Sequence, residues 1–325
     1  MVPRSLLLIA KVTLLAAIYV TVAHWGLQFD PVNRFATIIW PPAGVSLAAL
    51  LLFGRDLWPG IAVGAAIVNV WIGAPLPVAC GIALGNTLEA LLGWYALQRI
   101  PGFRLTVDRL RDAVGFIVLA AVLSTAVSAT IGVTSLYLGG LIPASRFAET
   151  WFTWWQGDAL GDLIVAAFLL NWIPALWVPD RMSPRRIAEA LALGAALVGM
   201  SVFLFQGNPA TATVVTAFRQ PTTLLPVLIW AALRFGTRGA TGATLVVSGA
   251  AIWSTVLGHG PFIRTQLHES LAVLQAFMSV VAVMCLVLSA VTTERHRADR
   301  EKIELFHRER LARAHADEMQ RLRGT

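Results

Sequence analysis

The sequence predicts an all-α protein: a polytopic transmembrane helical bundle of about ten spans, eight in a sparser counting, with a C-terminal cytoplasmic signalling helix. Three observations predict it. The 325 residues are 57% hydrophobic and only 13% charged, with a mean hydropathy of +0.70, whereas soluble domains carry roughly 25% charge. Apolar stretches near the ~20 residues that a bilayer crossing needs follow one another through short loops. The arginines are sorted between alternate loops, which is a signature of membrane orientation.

The first stretch, 6–25, lacks a small-residue cleavage site and is long enough to span, so it is read as an anchored helix. Lys11 within it snorkels to the cytoplasmic face. The second, 36–53, contains Trp40-Pro41-Pro42-Ala43-Gly44, and the third, 57–73, opens on Leu57-Trp58-Pro59-Gly60. Proline at a helix start is common for structural reasons alone. It also leaves carbonyls of a broken turn free to line a cavity. The remaining spans are 76–98, 113–138, 151–173, 187–205, 222–235, 239–257 and 268–292; the second and eighth are short or interrupted by proline.

With the N-terminus inside, the cytoplasmic loops hold Arg55, Arg99, Arg104, Arg109, Arg111, Arg181, Arg185, Arg186, Arg234 and Arg238. The opposite loops hold only Arg34, Arg146, Arg219 and Arg264. Ten against four favours this orientation, and an even number of spans returns the C-terminus to the cytoplasm. The final 34 residues carry nine of the 25 basic residues. The basic surplus is therefore topological information and not a nucleic-acid footprint. Two regions follow: a membrane domain, 1–292, and a helical linker or coiled-coil segment, 293–325. Heptad spacing places Val291, Ala298, Leu305, Ala312 and Met319 on one apolar line. This line fits either a homodimer through the tail or a solvated amphipathic helix.

Ionisable groups within spans are the strongest functional pointers in such a chain. Asp158 and Asp162 are four apart, on one helix face. They follow Trp151, Trp154 and Trp155, which suggest the outer interface belt. Glu89 and Asn86 share a face of the fourth span, and Asn69 is available from the third. An ionised, unpaired acid at the centre of a span costs about 2.5–3.5 kcal/mol on insertion scales, so each must be paired, solvated or protonated. These groups therefore form a ligand or ion site, or serve as polar glue between helices. Cys80 and Cys285 lie in apolar runs and are read as small buried hydrophobes, not a disulfide or metal pair. The six histidines show no metal-ligand spacing. No phosphate-cradling loop, nucleophile elbow or zinc-protease helix occurs, so the reading is of a non-enzyme without a cofactor.

Four motifs in order, Trp40-Pro-Pro-Ala-Gly44, Phe53-Gly-Arg-Asp-Leu-Trp-Pro-Gly60, Gly85-Asn-Thr-Leu-Glu-Ala90 and Trp154-Trp-Gln-Gly-Asp158, resemble the membrane-associated sensor family, type one. The likeness runs over about residues 10 to 292. It implies a sensory input domain of the bacterial inner membrane that precedes a histidine kinase, a diguanylate cyclase or a cyclic-di-GMP phosphodiesterase. The family pattern maps onto Trp40, Pro41, Pro42, Asn86, Glu89, Trp154 and Asp158. Asp162 departs from it, standing where an aliphatic residue is expected. Ala166-Ala167 stands where a proline is expected, which implies a straighter span. No output domain follows the tail, so the output is expected either as a continuation of the reading frame or from a partner in trans. The rival class is a secondary transporter or ion-coupled permease using the buried acids. An intramembrane enzyme lacks a nucleophile–base pair.

Overall fold

The computed structural model describes residues 3–28, 37–177, 182–205 and 220–323, and every regular element among them is helical. Arg34, Arg181 and Arg219 of the orientation count lie outside the described residues. In chain order the helices are α1 (Arg4–Gln28), α2 (Pro41–Phe53), α3 (Trp58–Trp71), α4 (Leu76–Gln98), α5 (Leu110–Leu138), α6 (Ala144–Trp177), α7 (Pro184–Phe205), α8 (Leu225–Val256) and α9 (Leu267–Arg323). Short 3-10 turns lead into α3 and α8.

Seven of these helices are long and apolar enough to cross a membrane, so the chain is a multi-pass membrane protein. The difference from ten has three sources. Helix α2 has 13 residues and α3 has 14. The stretches 222–235 and 239–257 form one long element, α8, broken at Gly236 with φ 60° and ψ −148°. That backbone region is essentially confined to glycine.

Three apolar clusters hold the bundle. One joins α1 to α4 around Tyr19, Leu50 and Ile61. A second joins α4, α5 and α6 around Ile82, Val133 and Trp154. The largest runs from α2 and α5 through α6 into α7, α8 and α9. Cys285 is buried as expected; Cys80 is exposed, which corrects the reading of both cysteines as interior.

Two spans are widened by π-type turns, Phe116–Ser124 in α5 and Gly161–Ala166 in α6. The second ends at Ala166, the place where a proline was expected. The start of that segment is closely packed: a Cβ on Gly161 would lie 2.2 Å from the carbonyl oxygen of Trp40, and one on Gly44 would lie 2.1 Å from the carbonyl oxygen of Gly161. The start of α2 is thus seated directly on the backbone of α6.

Candidate functional site

Before α2 begins, residues Thr37 to Trp40 form a non-helical strap, with Thr37 and Ile38 buried. Irregular backbone in a membrane protein needs partners from the protein, and the strap has them. The Trp40 N–H donates to the Gly157 carbonyl of α6 at 2.9 Å. The Gln275 side-chain amide of α9 donates to the Ile38 carbonyl at 3.0 Å. The Thr37 hydroxyl donates to the Ile39 carbonyl at 2.8 Å. One short segment therefore touches both α6 and the last helix.

Beside the strap, α1, α4, α5 and α6 bring their polar groups together. The Trp154 indole N–H donates to the Ser128 hydroxyl at 3.3 Å, which donates to Asn86 Oδ1 at 2.9 Å. The Asn86 amide donates in turn to the Tyr19 hydroxyl at 2.7 Å. The Trp40 and Tyr19 rings meet edge to face with centroids 6.5 Å apart. Directly against this chain lie Glu89, Asp158 and Asp162, which are 3%, 1% and 1% exposed. Glu89 meets Ser128 and Asp158, and Asp158 meets Ser128 and Trp154. One oxygen of each acid, Glu89 Oε1, Asp158 Oδ2 and Asp162 Oδ1, is buried with no partner.

A narrow cavity of about 20 Å³ reaches this cluster, lined among others by Leu27, Trp40, Asn69, Asn86, Trp154 and Asp158. That is room for about one water-sized guest. The sequence-predicted residues divide accordingly. Trp40, Asn86, Trp154 and Asp158 line the cavity; Glu89 and Asp162 stand behind it. Pro42 is buried in the packing of α2, and its carbonyl accepts from Ser46 at 2.7 Å. Pro41 lines a separate apolar cavity of about 330 Å³ between α1, α6 and α8. Asn69 turns its amide to the Ala65 carbonyl at 2.9 Å while lining the first cavity. Sequence reasoning passed over Tyr19, Ser128 and Gln275. A hydroxyl or amide in mid-span was the available signal for each.

A family model, MASE1, matches residues 11–296. The chain belongs to the MASE1 family. The match covers every helix of the bundle and ends four residues into the segment read as the tail. The MASE1 chain thus carries three of the four motifs on the elements that build the acid cluster: the Trp-Pro-Pro motif on the strap and α2, Asn86 and Glu89 on α4, and Trp154 and Asp158 on α6; the fourth, Phe53 to Gly60, joins α2 to α3. No curated protein and no solved structure matches it.

The energetics show what such a cluster requires. A hydrogen bond within a membrane bundle contributes about 0.6 kcal/mol on average, while each unpaired ionised acid costs about 2.5–3.5 kcal/mol. The Trp154 and Ser128 protons are already given to Ser128 and Asn86, and two bonds of that size would not offset even one charge. No Lys or Arg ion pair reaches the three acids among the described residues. No group of three or more His, Cys, Asp or Glu side chains among them is placed to hold a metal ion. The arrangement suits a neutralising proton or a small hydrogen-bonding or cationic guest.

Proposed function

We propose that this MASE1 domain is a sensory input module of the bacterial inner membrane, with ten crossings and both termini in the cytoplasm. A small ligand or ion occupying the acid cluster is relayed through α9 to a cytoplasmic output, a histidine kinase, diguanylate cyclase or phosphodiesterase, fused or in trans. The domain itself performs no catalysis. The observation that carries this reading is the strap. Gly157, one residue before Asp158, holds Trp40, and Ile38 of the same strap holds Gln275 on α9. Helix α9 then continues without a break from Leu267 to Arg323. A change in the cluster that shifts α6 against the strap therefore acts on the helix that leaves the bundle. Output follows if the guest binds the two positions of α9 unequally.

The count of ten takes the strap with α2 as one crossing, α3 as another, and the two halves of α8 as two. The short α2 is extended by the strap, and Gly236 lets the two halves of α8 turn against each other. The tail is read as pairing in a homodimer: Ile303, Leu305 and Phe306 are 60%, 64% and 68% exposed, apolar side chains that a second copy would cover. Cysteine scanning of 303–306 in native membranes, with Cys80 and Cys285 replaced by serine, tests the reading. Cross-linking is expected to favour the face of Leu305, and Asp158→Asn and Gln275→Leu are each expected to move the favoured face. A cross-linking pattern that neither variant alters would sink the relay.

A further inference from the structure

At the far end of the helices a third cavity gathers positive charge. It has a volume of about 450 Å³ and is lined by Arg186 of α7, Leu233 to Gly236 of α8, and Thr292, Thr293, His296, Arg297 and Arg300 of α9. Trp172, near the end of α6, donates to the Arg238 carbonyl at 3.3 Å, so this region sits about 20 Å along α6 from Asp158, at 1.5 Å per residue.

We propose that this cavity binds a phosphate-bearing anion at the point where the last bundle helix becomes the tail. Four arginines line it, and among the described residues two of them, Arg234 and Arg297, are ion-paired to acids. Arg234 forks onto Glu189 at 2.6 and 2.8 Å, and Arg297 donates to Asp108. Arg186 and Arg300 form no ion pair with a described carboxylate. Arg186 is steered towards the cavity by stacking over Phe235, 5.9 Å from the ring centroid. On Arg297 only one edge is occupied: Nη1 is buried with no partner. A guanidinium with one edge on a carboxylate and the other vacant is suited to a second oxyanion. The break at Gly236 adds to this, because the half-helix that starts at Thr237 begins at the cavity wall. A helix start carries partial positive charge.

The chemistry is that of a phosphate monoester or diester, and two sources supply it. One is the headgroup of an anionic lipid, whose chains would lie along Leu233, which is 47% exposed. The other is free phosphate or a soluble phosphate ester. The proposal does not depend on the acid cluster or on the sensor reading.

Native mass spectrometry of the full chain from phosphatidylglycerol nanodiscs and from phosphatidylcholine nanodiscs separates the sources, with isothermal titration of inorganic phosphate and pyrophosphate in a neutral detergent as the second arm. Retention of phosphatidylglycerol over phosphatidylcholine assigns the site to lipid; saturable phosphate or pyrophosphate binding in detergent assigns it to a soluble anion. In either case the double variant Arg186→Gln, Arg300→Gln is expected to weaken binding roughly 30-fold, about fivefold for each arginine. Absence of both lipid preference and anion binding in the unaltered chain overturns the proposal, and so does binding that the double variant leaves unchanged. The unaltered chain decides the first point whether or not the variant folds.

Discussion

The two ends of the bundle handle charge in opposite ways. The acid end buries three carboxylates beside a cavity of about 20 Å³ whose lining includes Trp40, Trp154 and Asp158. The arginine end leaves its charges half in solvent around about 450 Å³, each on a long, adjustable side chain. The first is held by packing, so its geometry is fixed and substitutions there act on the whole fold. The second is held by solvated ion pairs, which contribute little to stability, so substitutions there act on binding and on the joint with the tail. Strap and α9 connect a rigid site to a compliant joint.

The contrast breaks most sharply at Trp154. It is 7% exposed, and its ring lies where a Cβ on Gly132 would stand, 2.8 Å away. Trp154→Ala is expected to destabilise the bundle by about 3–5 kcal/mol, read as a fall in the thermal midpoint in detergent. Arg300→Gln, at the other end, is expected to leave the midpoint within about 0.5 kcal/mol. Equal losses would erase the distinction.

A smaller effect is expected at Gly161, where a Cβ meets the Trp40 carbonyl oxygen at 2.2 Å. Gly161→Ala forces the strap away from α6, at about 1–3 kcal/mol for overpacking. The same thermal assay measures the cost, and proteolysis of 37–40 should become faster. A neutral outcome would mean that the strap is not seated as described.

The smallest effect belongs to the joint. Burial pushes the Asp108 carboxyl up, but the Arg297 hydrogen bond and charge outweigh it and hold the group below the usual carboxylate range. A folded value below the unfolded ~3.9 means that the pair stabilises above that pH and is lost as pH falls through the folded value. Glu294 supports the same contact by accepting from the Leu110 N–H at 3.1 Å. Proteolytic release of the tail should therefore be flat from neutral pH to about 4 and rise below it, and Asp108→Asn should remove that rise. A rise that persists in Asp108→Asn would place the acid sensitivity elsewhere.

Much of this was legible in the chain. Glu89, Asn86 and Asp158 stand out because an ionisable or amide group is rare and costly in a span, and the structure brings all three together. Asp162 joins them despite departing from the family pattern. The rest of the network was hidden for a physical reason. Serine, tyrosine and glutamine are tolerated in spans with no ligand in view, so Ser128, Tyr19 and Gln275 acquire meaning only from neighbours 42, 67 and 237 residues away in sequence. Hydropathy located the apolar stretches but not the backbone between them: the strap is too short to give a periodic signal, and a π-type turn has the composition of the helix around it. Gly236 was visible as a glycine, but not its positive φ or its place beside α9, where a Cβ would meet Thr293 Oγ1 at 3.3 Å.

The account stands or falls on whether the acid cluster is coupled to α9. Hydrogen–deuterium exchange of the chain in nanodiscs, comparing the unaltered protein with Asp158→Asn, tests this over 292–310. A change in protection there, some 20 Å or more from the substitution, is the expected result. Uptake over 292–310 that is the same in both proteins, with the thermal midpoint also unchanged, would contradict it.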